Sequence, residues 1–88
     1  MPRKIIFTNH ALKRMKERLI NRKIITEAVN NPDKIERHTK TPSQFLIKKL
    51  YFNKKLKRDH LLMIIFETKQ KHIKVITIID TSKISKYF

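Results

Sequence analysis

The chain has no glycine in its 88 residues. Its tight turns must therefore come from Asn, Asp and Pro, which reach turn geometry through side-chain hydrogen bonds or a fixed φ. The same absence excludes a P-loop and a glycine-rich dinucleotide loop, whose backbones approach phosphate more closely than a Cβ allows. Turn-forming residues gather at Asn21, Asn30-Asn31-Pro32-Asp33, Thr41-Pro42-Ser43, Asn53–Asp59 and Thr68–Lys71. The segments between them differ in hydrophobic period.

Lys4–Phe7 is a short β-like run. Thr8–Ile20, T-N-H-A-L-K-R-M-K-E-R-L-I, reads as an amphipathic helix capped by Thr8 or Asn9. At about 100° per residue, Ala11, Leu12, Met15 and Leu19 share one arc and face a core. Arg18, Arg14, His10 and Glu17 follow around the adjoining edge. Asn21 caps a second helix, Arg22–Asn30, with Ile24, Ile25, Ala28 and Val29 at helical spacing. Pro32 cannot continue it. The short link predicts a helical hairpin.

The remainder reads as strands. Lys34–Thr39 is anchored weakly by Ile35. Phe45–Phe52 is rich in aromatic and branched residues. His60–Glu67 carries the uninterrupted apolar run Leu61–Phe66, which implies burial on both faces, and His72–Asp80 follows. Ile84 and Phe88 give the tail Thr81–Phe88 the spacing of a helical turn. The expected fold is α+β and a single domain, 1–88. In it the helical hairpin packs on one face of a three- to four-stranded antiparallel sheet. Leu61–Phe66 could also pair at an open edge and form a homodimer.

Lysine and arginine outnumber acids 22 to 7, for a net charge of +15. Self-repulsion of that size calls for a polyanion or an acidic protein, so nucleic acid is the first partner class. An acidic protein is the second and a membrane surface the third. A hydrophobic fraction of 40% argues against a disordered basic tail. No apolar stretch suits a signal peptide or a bilayer span, and a cytoplasmic setting fits. Without cysteine there is no disulfide framework or thiolate site. His10, His38, His60 and His72 are too scattered to suggest a metal, and no cofactor is expected. Asp33, Asp59 and Asp80 stand isolated, and Ser43, Ser82 and Ser85 lie in no nucleophile motif.

Two features suit phosphate. On the first helix, His10 lies one turn from Arg14, and Arg18 a turn further on, which suits holding a phosphate and moving a proton beside it. On the sheet, Lys48, Lys49, Lys54, Lys55, Lys57 and Arg58 cluster along a strand and its turn. Tyr51 and Phe52 are interleaved there, and alternation must send one of them outward to where bases could stack. The plain alternative is an Arg14–Glu17 surface ion pair and a solubilised edge.

Phe7-Thr8-Asn9-His10-Ala11, Arg14-Met15-Lys16-Glu17-Arg18 and Ile20 carry a further signal. So do Glu27, Val29 and Asn31-Pro32-Asp33-Lys34-Ile35. Together these residues resemble the H-A-x-x-R-M-x-x-R-x-I signature of a family of small domains of unknown function. That family is similar in fold to the RelE/ParE and BrnT toxins. The family usually has glycine after the second arginine, where this chain has Leu19. The resemblance implies a toxin-like, RNA-binding protein and a metal-independent ribonuclease acting on free or ribosome-bound mRNA, with an acidic antitoxin as partner. It implies His10 as base or acid, Arg14 on the phosphate, and Glu17 orienting Arg14 or transferring a proton. Tyr87, with Lys83 and Lys86, would border the cleft from the tail. The alternatives are a non-catalytic nucleic-acid-binding module and a basic interaction protein that docks an acidic partner such as an antitoxin.

Overall fold

A computed structural model describes residues 4–37 and 43–88. Its elements are β1 (Lys4–Phe7), α1 (Asn9–Arg18), α2 (Arg22–Asn30), β2 (Lys34–Arg37), β3 (Gln44–Asn53), β4 (Arg58–Lys69), β5 (His72–Thr81) and α3 (Ile84–Tyr87). The strands form one five-stranded sheet in the order β1-β5-β4-β3-β2. β2 to β5 pair antiparallel, and β1 lies parallel to β5, with Lys4 opposite His72 and Phe7 opposite Val75.

The expected helical hairpin on a three- to four-stranded antiparallel sheet is therefore corrected to a five-stranded mixed sheet. The four-residue run at Lys4–Phe7 gave no local sign that its partner was the last strand. The hairpin is corrected too. α1 packs on β5 and β1, whereas α2 packs on β3, so the helices spread over opposite halves of the sheet.

Backbone closure at the end of α1 explains the spread. Leu19 adopts φ 56 and ψ 40, in the left-handed region. The Ile20 amide donates to the Met15 carbonyl at 2.8 Å and the Leu19 amide to Lys16 at 3.3 Å, a Schellman closure. Leu19 thereby leaves the helical phase and is 64% exposed, while Ile20 turns into the core. Leu12 is 37% exposed, so only Ala11 and Met15 of the predicted arc are buried. At the other end, Thr8 Oγ1 accepts from the Ala11 amide at 3.0 Å and donates to the Ile76 carbonyl at 2.8 Å. That carbonyl lies where the β4–β5 register shifts beside Ile65 and Phe66. The shift brings Val75 onto the same face as Ile78.

Under the helices lie Ile47, Leu62, Ile64, Phe66, Val75 and Ile78, with Ile25 and Ala28 from α2. Leu61 and Met63 are buried as well and by alternation face the opposite side. The expectation that this run is buried on both faces is met. α3 packs against β4, and Lys34 Nζ donates to the Phe88 carbonyl at 2.6 Å. Lys34 pairs with Lys48, one register position from Ile47, so the tail crosses the face away from α1 and α2. β4 is central, which corrects the idea that Leu61–Phe66 offers a dimerising edge; the outer strands are β1 and β2. The end of the predicted Lys34–Thr39 strand, His38 and Thr41-Pro42 lie outside the described residues.

Candidate nucleic-acid interface

Two strand pairings bring three polar side chains together beneath the helices. Tyr51 on β3 sits directly opposite His60 on β4, and Asp80 pairs with Leu62, one same-face step from His60. Tyr51 Oη donates to Asp80 Oδ1 at 2.7 Å. His60 Nδ1 lies 3.3 Å from Oδ1 and 3.2 Å from Oδ2 of Asp80. A carboxylate only accepts, so Nδ1 carries the proton, and Asp80 selects that tautomer. Asn53 Nδ2 reaches the Tyr51 hydroxyl at 3.5 Å. Burial, then the hydrogen bond to Asp80 and its negative charge, hold the Tyr51 phenol well above its ordinary value of 10.0. Asn53 opposes this weakly by donating to the phenol oxygen.

The arrangement leaves one loose end. His60 is only 5% exposed, and its Nε2 has no hydrogen-bond partner among the described residues. An unpaired buried nitrogen costs about 1–3 kcal/mol. A histidine kept only for packing would ordinarily be satisfied at both nitrogens or replaced by an apolar residue.

His60, Asp80 and Tyr51 belong to the lining of a half-open groove of about 1130 Å³. One wall is the end of α1 and the start of α2, with Glu17, Arg18, Lys23 and Glu27. The other is the β3–β4 hairpin, with Lys49, Phe52, Lys54, Lys55 and Leu56. The hairpin wall carries three cations, Lys49, Lys54 and Lys55, and is free of acids among its lining residues. Lys49 Nζ lies 3.9 Å from Asp33 Oδ1, a long ion pair of the same length as that between Arg14 and Glu17. Asn53 Oδ1 accepts from the Lys55 and Leu56 amides at 3.0 Å each, which fixes the hairpin without glycine. Phe52 is 57% exposed while Tyr51 turns inward to Asp80.

The sequence-predicted site residues are distributed as follows. Glu17 and Arg18 stand on the groove wall; His10 and Arg14 are not among its lining residues. Arg14 Nη1 lies 3.9 Å from Glu17 Oε1 in a surface pair, and His10 is exposed near the start of α1. The basic sheet cluster is split by alternation. Lys49, Lys54 and Lys55 line the groove. Lys48 points to the other face and pairs with Glu36 at 3.2 Å. Lys57 and Arg58 are exposed at the hairpin tip and the start of β4. Tyr87, Lys83 and Lys86 are exposed on the tail, with the Lys86 ammonium 5.3 Å from the Tyr87 ring centroid. Asp80 and Asp33 have partners, though neither partner is a second carboxylate. Asp80 joins His60 and Tyr51, and Asp33 Oδ2 accepts from the Leu50 amide at 2.8 Å. Sequence reasoning missed Lys23 and the Tyr51–Asp80–His60 cluster. The available signal was phase: His60 and Asp80 sit on the inward-facing register of two apolar strands.

Among the described residues, no group of three or more His, Cys, Asp or Glu is placed to hold a metal ion. No helix there is long and apolar enough to cross a membrane. The molecule is thus a small mixed-sheet α+β domain with a cationic groove over a buried polar cluster. Residues 7–80 match the family model described as "Domain of unknown function (DUF4258)", and the chain belongs to that family. No curated protein and no solved structure matches it.

Proposed function

We propose that this protein binds single-stranded RNA in the groove between the α1–α2 junction and the β3–β4 hairpin, in a toxin-like, RNA-directed role. One observation carries the reading. In a chain of net charge +15, the hairpin wall gathers Lys49, Lys54 and Lys55 along the groove, and the ring of Phe52 in the same hairpin is exposed. Cations track a phosphate backbone, and an exposed aromatic stacks on an unpaired base. Arg18 and Lys23 extend the cationic track across the groove. Glu17 and Glu27 make the helical wall less attractive to phosphate, so the backbone follows the hairpin and the bases turn inward.

The test is fluorescence anisotropy with a labelled mixed-sequence RNA of about 12 nucleotides, and with its duplex. Lys54→Gln/Lys55→Gln is compared with Lys13→Gln/Lys16→Gln, which removes the same charge from the exposed face of α1. The groove pair should weaken single-strand binding at least tenfold and the control pair less than twofold. Equal losses would mean that only overall charge matters. Preference for the duplex would remove the role given to Phe52.

A further inference from the structure

We propose that β2 is a homodimerisation edge, at which a second copy of this chain pairs antiparallel about a two-fold axis through Ile35. Among the described residues β2 ends the sheet, so one side of its backbone has no strand partner. All four of its residues are exposed, and Ile35 is 58% exposed. A row of unpaired N–H and C=O groups is a template for another strand. None of these residues lines the groove, so the pairing does not rest on the RNA reading.

Local charge selects the occupant. Asp33, Lys34, Glu36 and Arg37 hold two of the seven acids and two of the 22 basic residues, so this stretch is neutral in a chain of +15. Two copies meeting here bring neutral segments together rather than cationic ones. The pattern is also self-complementary in one register. Centred on Ile35, the pairing sets Lys34 against Glu36 of the second copy, Glu36 against its Lys34, and Ile35 against its counterpart. Centring on Glu36 would oppose two carboxylates. Centring between Ile35 and Glu36 would oppose Lys34 and Arg37. In the Ile35 register, whichever alternate residues turn their N–H and C=O outward face one another across the axis.

The contacts these side chains already make leave them capacity. Lys34 Nζ donates to the Phe88 carbonyl at 2.6 Å and lies 4.2 Å from the Phe88 ring centroid, and an ammonium has three protons to give. Glu36 Oε2 holds Lys48 Nζ at 3.2 Å on a side chain that is 52% exposed, and Oε1 remains to accept from Lys34 of the second copy. Asp33 takes no part in the pairing, because its Oδ2 accepts from the Leu50 amide at 2.8 Å and is held to β3. The other outer strand, β1, is a poorer edge. Its one charge is Lys4, with no acid to offset it, and Ile5, Ile6 and Phe7 are already partly buried.

The first test is sedimentation equilibrium of the 88-residue chain. A short edge pairing belongs to the weak class of interfaces, so concentrations run from about 10 to about 500 µM. Salt is held at about 0.15 M, where charges more than about 8 Å apart are largely screened. A monomer–dimer equilibrium is expected, and a monomer throughout overturns the proposal. Charge reversal then tests the register, with circular dichroism confirming that each variant is folded. Lys34→Glu opposes two carboxylates at each pair and Glu36→Lys two ammoniums, so each should weaken dimerisation about tenfold or more. Mixed one to one, the two variants regain opposite charges at both pairs and should form a heterodimer of near wild-type affinity. Single variants that dimerise like the wild type, or a mixture that stays monomeric, overturn it. Crosslinking tests the axis itself. The chain has no cysteine, so Ile35→Cys supplies a single thiol, and the two-fold brings it within disulfide reach of its counterpart. With oxidised glutathione it should crosslink at least about tenfold faster than Leu19→Cys, at a site that is 64% exposed. Equal rates overturn the proposal.

Discussion

Among the described residues of this glycine-free protein, two occupy backbone conformations that glycine usually fills: Leu19 at φ 56 and Lys57 at φ 53. The left-handed region brings Cβ against the following carbonyl, a cost of about 1–2 kcal/mol for an L-residue. Glycine removes that cost but adds freedom to the unfolded chain, so the net gain is about 1 kcal/mol. At Lys57 the side chain is exposed and little opposes the gain. At Leu19 the residue is 64% exposed, so roughly a third of the side chain is covered. Full burial of leucine stabilises by about 1.5–3 kcal/mol, so removing that third costs roughly 0.5–1 kcal/mol. Lys57→Gly should therefore stabilise by about 1 kcal/mol and Leu19→Gly by much less. In a chain of this length that is a rise in Tm of about 4–8 °C for Lys57→Gly and roughly 0–3 °C for Leu19→Gly.

The assay is thermal unfolding followed by far-UV circular dichroism at about 0.15 M salt, where long-range repulsion is partly screened. Lys57→Ala is the deciding control. It removes the same positive charge but keeps a Cβ in the left-handed position. If Lys57→Ala raises Tm as far as Lys57→Gly, relief of self-repulsion in a +15 chain is the cause and the backbone argument is refuted. If Lys57→Gly leaves Tm unchanged, the left-handed cost is being offset elsewhere and the magnitude above is wrong.

Other outcomes follow from the same geometry. The Tyr51 phenol is held above its ordinary value of 10.0 in the folded state, so its contribution to stability is complete below pH 10 and is lost as pH rises beyond it. By pH 11 the loss approaches about 1.4 kcal/mol, reduced to roughly 0.7 by solvent around a half-buried phenol. Urea unfolding of wild type and Tyr51→Phe from pH 9 to 11 should show this extra slope only in the wild type. In Tyr87→Phe, whose sole phenol is Tyr51, no tyrosinate absorbance should develop at pH 11 until the protein unfolds. Asp80→Ala leaves His60 and Tyr51 without their shared acceptor and should cost about 3 kcal/mol in urea unfolding. RNA affinity should fall with salt at a log–log slope of about −0.7 per phosphate contact, and Lys54→Gln should reduce that slope by about one contact. Deleting residues 82–88 should uncover Leu61 and Met63 and promote self-association, read by light scattering.

Element identity was legible where period and capping agreed. Thr8 and Asn21 do cap the helices by accepting from Ala11 and Ile24 amides, and Leu61–Ile64 is buried as its continuous apolar run implied. What was illegible depended on partners far along the chain. β1 is a strand only because β5 offers it a parallel edge 68 residues later, at Lys4 opposite His72. Leu19 was placed in the core by extending a 100° step one residue too far. The left-handed closure gives that place to Ile20, a change of backbone direction that a hydrophobic period alone does not register.

The groove shows the same division. Counting charges along Lys48–Arg58 finds a basic segment, but only strand alternation decides that Lys49 faces the groove and Lys48 faces Glu36. Likewise His60 and Asp80 looked like unrelated polar residues at strand ends. Both are in phase with buried neighbours, Leu62 and Ile78, and a polar side chain in such a phase must find a partner or carry a desolvation cost. Asp80 finds two donors, Tyr51 and His60, and is satisfied. His60 finds one acceptor and is not, because no described residue pairs with Nε2. That imbalance leaves a desolvation cost at His60, whereas the exposed ring of His10 keeps water as a partner at no cost to the fold.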